Sequence, residues 1–198
     1  MEIKIRLEKP SDYKAVESLT YKAFVDAFPE RKACECDEHL LAHKLRGVPA
    51  FIPELDYVAE IDGEIIGNIM YSKAKVVGEN QADFEVLTFG PVSVLPEYQN
   101  RKVGSELIRY TIAKAKHMGY LAILIFGHPE YYPRFGFKAA ANFGIQTDKG
   151  ENFPAFMALE LQEGALSHVR GRLHIDDVFQ VDPAELQTFN QTCHYIRK

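Results

Sequence analysis

Val92-Ser93-Val94-Leu95-Pro96-Glu97-Tyr98-Gln99-Asn100-Arg101-Lys102-Val103-Gly104-Ser105-Glu106-Leu107 is the stretch on which the reading of this chain turns. It reads as the end of a strand, a turn, and the start of a helix. Val103, Leu107 and Thr111 share a face with Ile108, Ile112 and Ala115, so the spacing predicts a helix over residues 101–118, ended by Gly119. The start of a helix presents unpaired N–H donors and the positive end of the helix dipole, a combination that binds a pyrophosphate. Gly104 and Ser105 are small, which lets a phosphate approach the backbone closely. Arg101 and Lys102 add positive charge beside them. The alternative for so short a segment is a plain surface strand–turn–helix.

Working outward, Leu121 to Phe126 is a continuous apolar run, the pattern of a buried central strand. A short helix is expected around 130–134, then strands near 137–147 and 156–161. Upstream, Phe84 to Val94 reads as a strand with a bulge near Gly90-Pro91. Residues 65–76 and 57–61 read as two strands joined by a tight turn at Asp62-Gly63. Ile3, Ile5 and Leu7 alternate with polar residues, as a strand does. Pro10-Ser11-Asp12 opens a helix with Ser11 or Asp12 as its cap, an apolar stripe of Val16, Leu19, Ala23 and Ala27, and an end at Pro29. A second helix is expected from about Asp37 to Arg46, closed by Gly47. The order is βααβββαβαββ, a mixed α/β arrangement. In the tail, residues 162–198, Leu173, Ile175, Val178 and Phe179 are candidates to pack on the domain, and 183–189 reads as a helix.

The 198 residues suffice for one domain with a short appendage. Hydrophobic residues make up 46% and charged residues 26%, values of an ordinary globular protein. A net charge of -5 implies no broad basic face for nucleic acid. The apolar runs are too short to span a membrane, and the alternating N-terminus lacks the apolar core of a secretion signal. Three cysteines without framework spacing fit a reducing cytoplasm.

The opening segment resembles the acetyl-CoA-binding motif of the GNAT superfamily of N-acetyltransferases, Gln/Arg-x-x-Gly-x-Gly/Ala after a strand ending in Val-x-Pro-x-Tyr. Gln99, Gly104 and the run Val94-Leu95-Pro96-Glu97-Tyr98-Gln99 match, while Lys102 stands where the first motif glycine would be. The element order is similar to that superfamily's. His128-Pro129-Glu130-Tyr131-Tyr132-Pro133-Arg134-Phe135-Gly136-Phe137 resembles the Tyr-x-x-x-Gly-Phe ending of many members. It is especially similar to a branch with Asp-Pro-x-Tyr-Tyr-x-Arg-Phe-Gly-Phe, in which His128 takes the place of the Asp. The likeness covers residues 3–161 and is weakest over 33–53.

The resemblance implies an α/β (α+β) GNAT fold: a mixed central sheet of about seven strands, splayed between the fourth and fifth, with about four flanking helices. It implies an N-acetyltransferase domain over 1–161 and a C-terminal extension, 162–198, packing on it. It implies direct attack of a primary amine, on a small molecule or a peptide, on acetyl-CoA as cosubstrate in a ternary complex. A monomer or a homodimer, with no nucleic acid or membrane partner, is expected. The backbone of Val92 and Val94 would pair with the pantetheine arm, and Gln99, Asn100, Arg101, Lys102, Val103, Gly104 and Ser105 would hold the pyrophosphate. The N–H of Val92 is the expected donor to the thioester oxygen. Tyr132, four residues before Gly136, takes the place of the tyrosine general acid, with Tyr131 as its neighbour and alternative. Glu85 is the candidate base, with a solvated strand carboxylate as the plainer reading, and His128 is a further titratable group.

Two rivals remain. One is a non-catalytic acyl-CoA-binding domain of the same fold. The other is a metal-binding module of Cys34, Cys36, His39 and His43, whose histidines are spaced i, i+4 on one helix face. The resemblance needs no metal, and the plainer reading is a packed cysteine pair with two exposed histidines. Phe51, Phe89, Phe126, Phe135 and Phe143 could line a tunnel or simply form core.

Overall fold

In a computed structural model that describes residues 2–30, 32, 35–78 and 83–196, hydrophobic periodicity becomes nine strands in a mixed sheet and four α-helices. The strands are β1 Lys4–Leu7, β2 Tyr57–Ile61, β3 Glu64–Val77, β4 Asp83–Val94, β5 Ala122–Phe126, β6 Lys138–Ala139, β7 Ile145–Gln146, β8 Phe156–Glu160 and β9 Gly171–His174. The helices are α1 Tyr13–Ala27, α2 Glu38–Leu45, α3 Val103–His117 and α4 Pro183–Thr192. Among the described residues no helix is long and apolar enough to cross a membrane.

The chain divides into two units, and β3, β4 and α3 each give residues to both. The first unit contains 1–70, 90–107 and 177–198. Here β1 and β2 run antiparallel from Lys4↔Glu60 to Leu7↔Tyr57, and β2 pairs with β3 across the Asp62-Gly63 turn. Both turn residues adopt positive φ (52° and 87°), as a two-residue hairpin requires. Val16, Leu19 and Ala23 of α1 are buried, but Ala27 is exposed, so the expected stripe ends one turn early. No side chain caps α1. The Asp12 carboxylate instead accepts from the Lys9 N–H at 2.9 Å and pairs with Arg6 at 2.6 Å. The tail helix α4 carries a true cap: Asp182 accepts from Ala184 N and Glu185 N at 2.7 and 3.0 Å.

The second unit contains 71–89 and 108–176. Strand β5 is parallel to β4 at Leu87↔Ile123 and antiparallel to β8 over five pairs, Ala122↔Glu160 to Phe126↔Phe156. Ala122 to Ile125 are fully buried, as the apolar run predicts. Phe126 departs from that pattern: it is 48% exposed and stacks on Phe153 and Phe156 at 5.9 and 5.1 Å. The single strand expected over 137–147 is broken into β6, a 3-10 turn at Ala140–Phe143, and β7. Gly144, at φ 68°, closes that turn and leads into β7. The tail supplies a strand that the sequence pattern did not reveal: β9 pairs with β3 at Lys75↔His174 to Val77↔Arg172, and with β7. Leu173 and Val169 thereby join a core with Leu124, Val86 and Phe156.

A buried charge network ties the first unit together. Arg46 grips Glu8 with two hydrogen bonds, 2.9 and 2.7 Å, and reaches Glu17 at 3.2 Å. Asp56 is also buried. Burial first, then the adjoining Glu8 carboxylate, raises its carboxyl far above the usual carboxylate range. Folded Asp56 therefore keeps a proton that the unfolded chain releases above about pH 4. The unfolded state binds fewer protons, so stability falls as pH rises from there toward the raised value. Asp56→Asn, which cannot ionise, should flatten the decline of Tm between about pH 5 and pH 9. Parallel pH profiles for variant and parent would refute this protonation state.

Candidate active site

The turn between β4 and α3 is built by three backbone decisions. Pro96–Tyr98 forms a 3-10 turn, and Asn100 and Lys102 then adopt positive φ, 59° and 69°. The helix consequently starts at Val103, two residues later than the periodicity suggests, and Arg101 and Lys102 belong to the turn. Its first i to i−4 bond runs from Glu106 N to Lys102 O at 2.9 Å. The N–H groups of Val103 and Gly104 precede that bond, at the start of the helix. Lys102 thus takes the left-handed conformation that a glycine would take at no steric cost. Arg101 lies over the Tyr98 ring at 5.7 Å.

Along β4, Ser93 is buried and bonded to Thr20 at 3.2 Å, and Thr20 in turn reaches Asn68 at 3.3 Å. Alternation therefore places Val92 and Val94 on the opposite, half-exposed face. The Gln99 side chain donates to Val94 O at 3.2 Å, so this residue shapes the turn by closing it onto the strand. Gly67 sits where a β-carbon would press on Ser93 O, Leu107 and Val103 at 3.1–3.2 Å, so a glycine there allows close packing of strand and helix. All the expected pyrophosphate-binding residues, with Val92 and Val94, belong to the first unit.

Tyr132 and Glu85 belong to the second unit. Tyr132 opens a 3-10 turn, Tyr132–Phe135, where a short helix over 130–134 was expected. The His128 carbonyl accepts from Tyr131 N and Tyr132 N at 2.9 and 3.2 Å, while the His128 residue itself is exposed. The Tyr132 ring packs among Phe89, Phe137 and Tyr131 at 5.9, 5.6 and 5.3 Å. A β-carbon on Gly127 would collide with that ring, so the glycine makes room for it. Burial, with the neighbouring Tyr131 phenol, pushes Tyr132 up to about 12. Its hydroxyl remains protonated throughout the neutral range and has no protein partner among the described residues. Tyr71, not singled out by the sequence, lies behind Phe89 at 5.1 Å, fully buried and bonded to Thr111 Oγ1 at 3.0 Å.

Glu85 is exposed and pairs with Lys73 at 3.4 Å. It lies four residues before Phe89 on one strand face, roughly 13 Å away, so it does not touch the Tyr132 cluster directly. The cysteine–histidine pattern disperses. His39 is fully buried, contrary to the expected exposure, and bonds Asn190 Oδ1 at 2.8 Å. His43 bonds Glu17 at 2.9 Å, and Cys36 bonds Glu38 at 3.2 Å. Cys34 lies outside the described residues. Among the described residues no group of three or more His, Cys, Asp or Glu could hold a metal ion.

Comparison with known proteins gives a consistent result. The profile of the acetyltransferase (GNAT) domain matches residues 54–139. The uncharacterized N-acetyltransferase YjhQ of Escherichia coli strain K12 is 36% identical over 103 residues, 52% of this chain and 52% of that protein. The chain thus matches about half of the length of YjhQ. The uncharacterized N-acetyltransferase YhbS of the same strain is 27% identical over 176 residues, covering 88% of this chain and 97% of YhbS. The crystal structure of E. coli YhbS in complex with CoA aligns with a TM-score of 0.79 and 26% identity over 91% of this chain and 93% of that one. A GNAT family acetyltransferase from Brucella melitensis, in complex with acetyl-CoA, aligns with a TM-score of 0.69 and 28% identity, over 90% and 98%.

The φ of 69° at Lys102 makes a testable demand on residue type. Lys102→Gly should hold or raise Tm, because relief of the left-handed strain offsets the greater freedom of the unfolded chain. Lys102→Val should cost about 1–2 kcal/mol, since a β-branched residue fits this region worst. Equal thermal stability of the two variants would show that the turn does not hold this conformation.

Proposed function

We propose that the chain is a GNAT-type N-acetyltransferase that transfers an acetyl group from acetyl-CoA to a primary amine, of a small molecule or a peptide, by direct attack in a ternary complex; the match of residues 54–139 to the GNAT domain and the likeness to YhbS support this reading. The observation that carries the proposal is the turn at Asn100 and Lys102, whose positive φ values lead the chain into α3 and set the N–H groups of Val103 and Gly104 ahead of its first α-helical bond. These donors, with Arg101 and Lys102, suit a pyrophosphate. Gln99 and Asn100 shape the turn around it. On β4 the backbone of Val92 and Val94 offers strand-like pairing to the pantetheine amides, and the Val92 N–H donates to the thioester oxygen.

The reaction balances as follows. The amine lone pair attacks the thioester carbon, and negative charge develops on the carbonyl oxygen. The C–S bond then breaks, and the departing thiolate takes the phenolic proton of Tyr132. A phenol held near 12 is fully loaded at neutral pH, and its partnerless hydroxyl is free to donate. The proton lost by the amine passes through water to Glu85, whose solvated carboxylate can collect it only by that route. Gly127 acts by position, keeping the space that the Tyr132 ring fills.

Release of free CoA thiol, measured across a panel of amines, tests the reading. An acceptor that accelerates release supports it; acetyl-CoA binding without release with any amine would instead leave an acyl-CoA-binding domain. Tyr132→Phe should lower kcat by about 10²–10³ with little change in KM for acetyl-CoA. Undiminished kcat would remove Tyr132 from the mechanism. Because Tyr132 stays protonated, the rate should show no alkaline decline from this group below about pH 10. Glu85→Gln should cost about tenfold at neutral pH and less at high pH, where free amine is abundant. Gly127→Ala should lower kcat about tenfold or more while acetyl-CoA still binds, because the ring is displaced; an unchanged kcat would show that ring position is immaterial.

A further inference from the structure

The second unit holds a cavity of about 970 Å³ that the acetyl-transfer chemistry does not use. Its most distinctive wall is the segment 168–174, where burial alternates residue by residue. Val169 and Leu173 face inward and join the core. Period-two alternation therefore sends His168, Arg170, Arg172 and His174 to the other side, and all four line the cavity.

Among the described residues, both guanidinium groups are held by backbone carbonyls. Arg170 Nη1 donates to the carbonyls of Val169 and Leu166 at 2.8 and 3.4 Å, and Arg172 Nη1 donates to the Asp148 carbonyl at 3.4 Å. Carbonyl oxygens orient a guanidinium without cancelling its charge. Among the described residues neither arginine forms an ion pair with a carboxylate. Among the described lining residues the acid is Asp83, and it is already bonded to Lys75 at 2.7 Å.

The backbone is shaped to hold these arginines in place. Gly144, at φ 68°, has the Arg170 side chain lying where a β-carbon would be. A β-carbon on Gly171 would run into the Val77 carbonyl, so glycine there lets β9 lie against β3. Two planar guanidinium forks, each oriented by backbone carbonyls, match the paired oxygens of phosphate or carboxylate groups. Two imidazoles add donors. The volume suits a small molecule, since ligand sites commonly span about 300–1,000 Å³.

The site is distinct from the catalytic tyrosine. Asp83 and Phe84 start β4, whereas Phe89, which touches Tyr132, lies roughly 17–20 Å further along the strand. We propose that the cavity walled by Arg170, Arg172, His168 and His174 binds a small polyanion bearing phosphate or carboxylate groups, as a site separate from acetyl transfer.

The test uses the full ¹⁵N-labelled chain titrated with inorganic pyrophosphate and, separately, citrate. Dose-dependent shifts of the Gly144, Gly171 and Arg172 amides are expected with at least one probe. Pyrophosphate alone would identify a phosphate ligand, and citrate alone a carboxylate one. Arg170→Gln combined with Arg172→Gln should weaken this binding about tenfold or more. Arg172→Lys, which keeps the charge but loses the fork, should give an intermediate loss and controls for misfolding. Shifts at Val103, Gly104 and Ser105 report any probe at the pyrophosphate turn and should persist in the double variant. Absence of shifts at Gly144 and Gly171 at millimolar probe, or their persistence in the double variant, would overturn the proposal. Either result is independent of whether CoA thiol is released with an amine.

Discussion

One registered pair, Leu87 with Ile123, joins β4 to β5 in parallel. Both residues are fully buried, and the strands on either side are organised around them. Strand β5 is held on its other edge by five antiparallel pairs with β8, and β4 is held by its neighbour β3. A strand gripped along one edge and only briefly along the other carries backbone donors and acceptors that must find partners elsewhere. That constraint gives Val92 and Val94 their proposed role. It also places Gly127 and the 3-10 turn of Tyr132 directly after the end of β5, where a rigid buried strand fixes the start of a functional loop.

The turn that follows β4 carries a different constraint. Asn100 tolerates the left-handed region better than most residues, because a short polar side chain can satisfy itself locally. Lys102 has no such advantage, yet it holds φ at 69°. Strain of this kind persists only where the surroundings enforce it. Here Gln99 ties the turn to Val94, and the buried Val103 and Leu107 seat the helix that follows. The departure from the motif glycine therefore leaves the backbone path intact. What it adds is an ammonium group beside the helix start.

Local signals in the sequence suffice where one residue's preference decides the structure. Asp62-Gly63 is a tight turn, and Leu121 to Phe126 contains β5. Elsewhere a distant partner decides. His39 is buried because Asn190 and the Phe189 and Tyr195 rings close over it, some 150 residues away in sequence. The strand expected over 137–147 breaks at the 3-10 turn that Gly144 closes, and the Arg170 side chain lies beside that glycine. Strand β9 has a faint signature in sequence, because Arg172 and His174 within it and His168 and Arg170 before it leave only one face apolar. The role of Gly127 was equally hidden, since a glycine in sequence does not declare which ring it makes room for.

By itself the sequence determined the element order from β1 to β5, the turn segment from Gln99 to Ser105 that leads into a helix, and the tyrosine pair before Gly136. Each depends on short-range preferences: periodicity, turn residues and small side chains at fixed spacing. Tertiary structure decided the rest. It set the left-handed turn that moves α3 to begin at Val103, the burial that holds the Tyr132 proton, and the dispersal of Cys36, His39 and His43 onto separate partners. It also gathered four charged or imidazole side chains around one cavity. Burial, desolvation and charge compensation depend on every neighbour in space, and no window of sequence contains those neighbours.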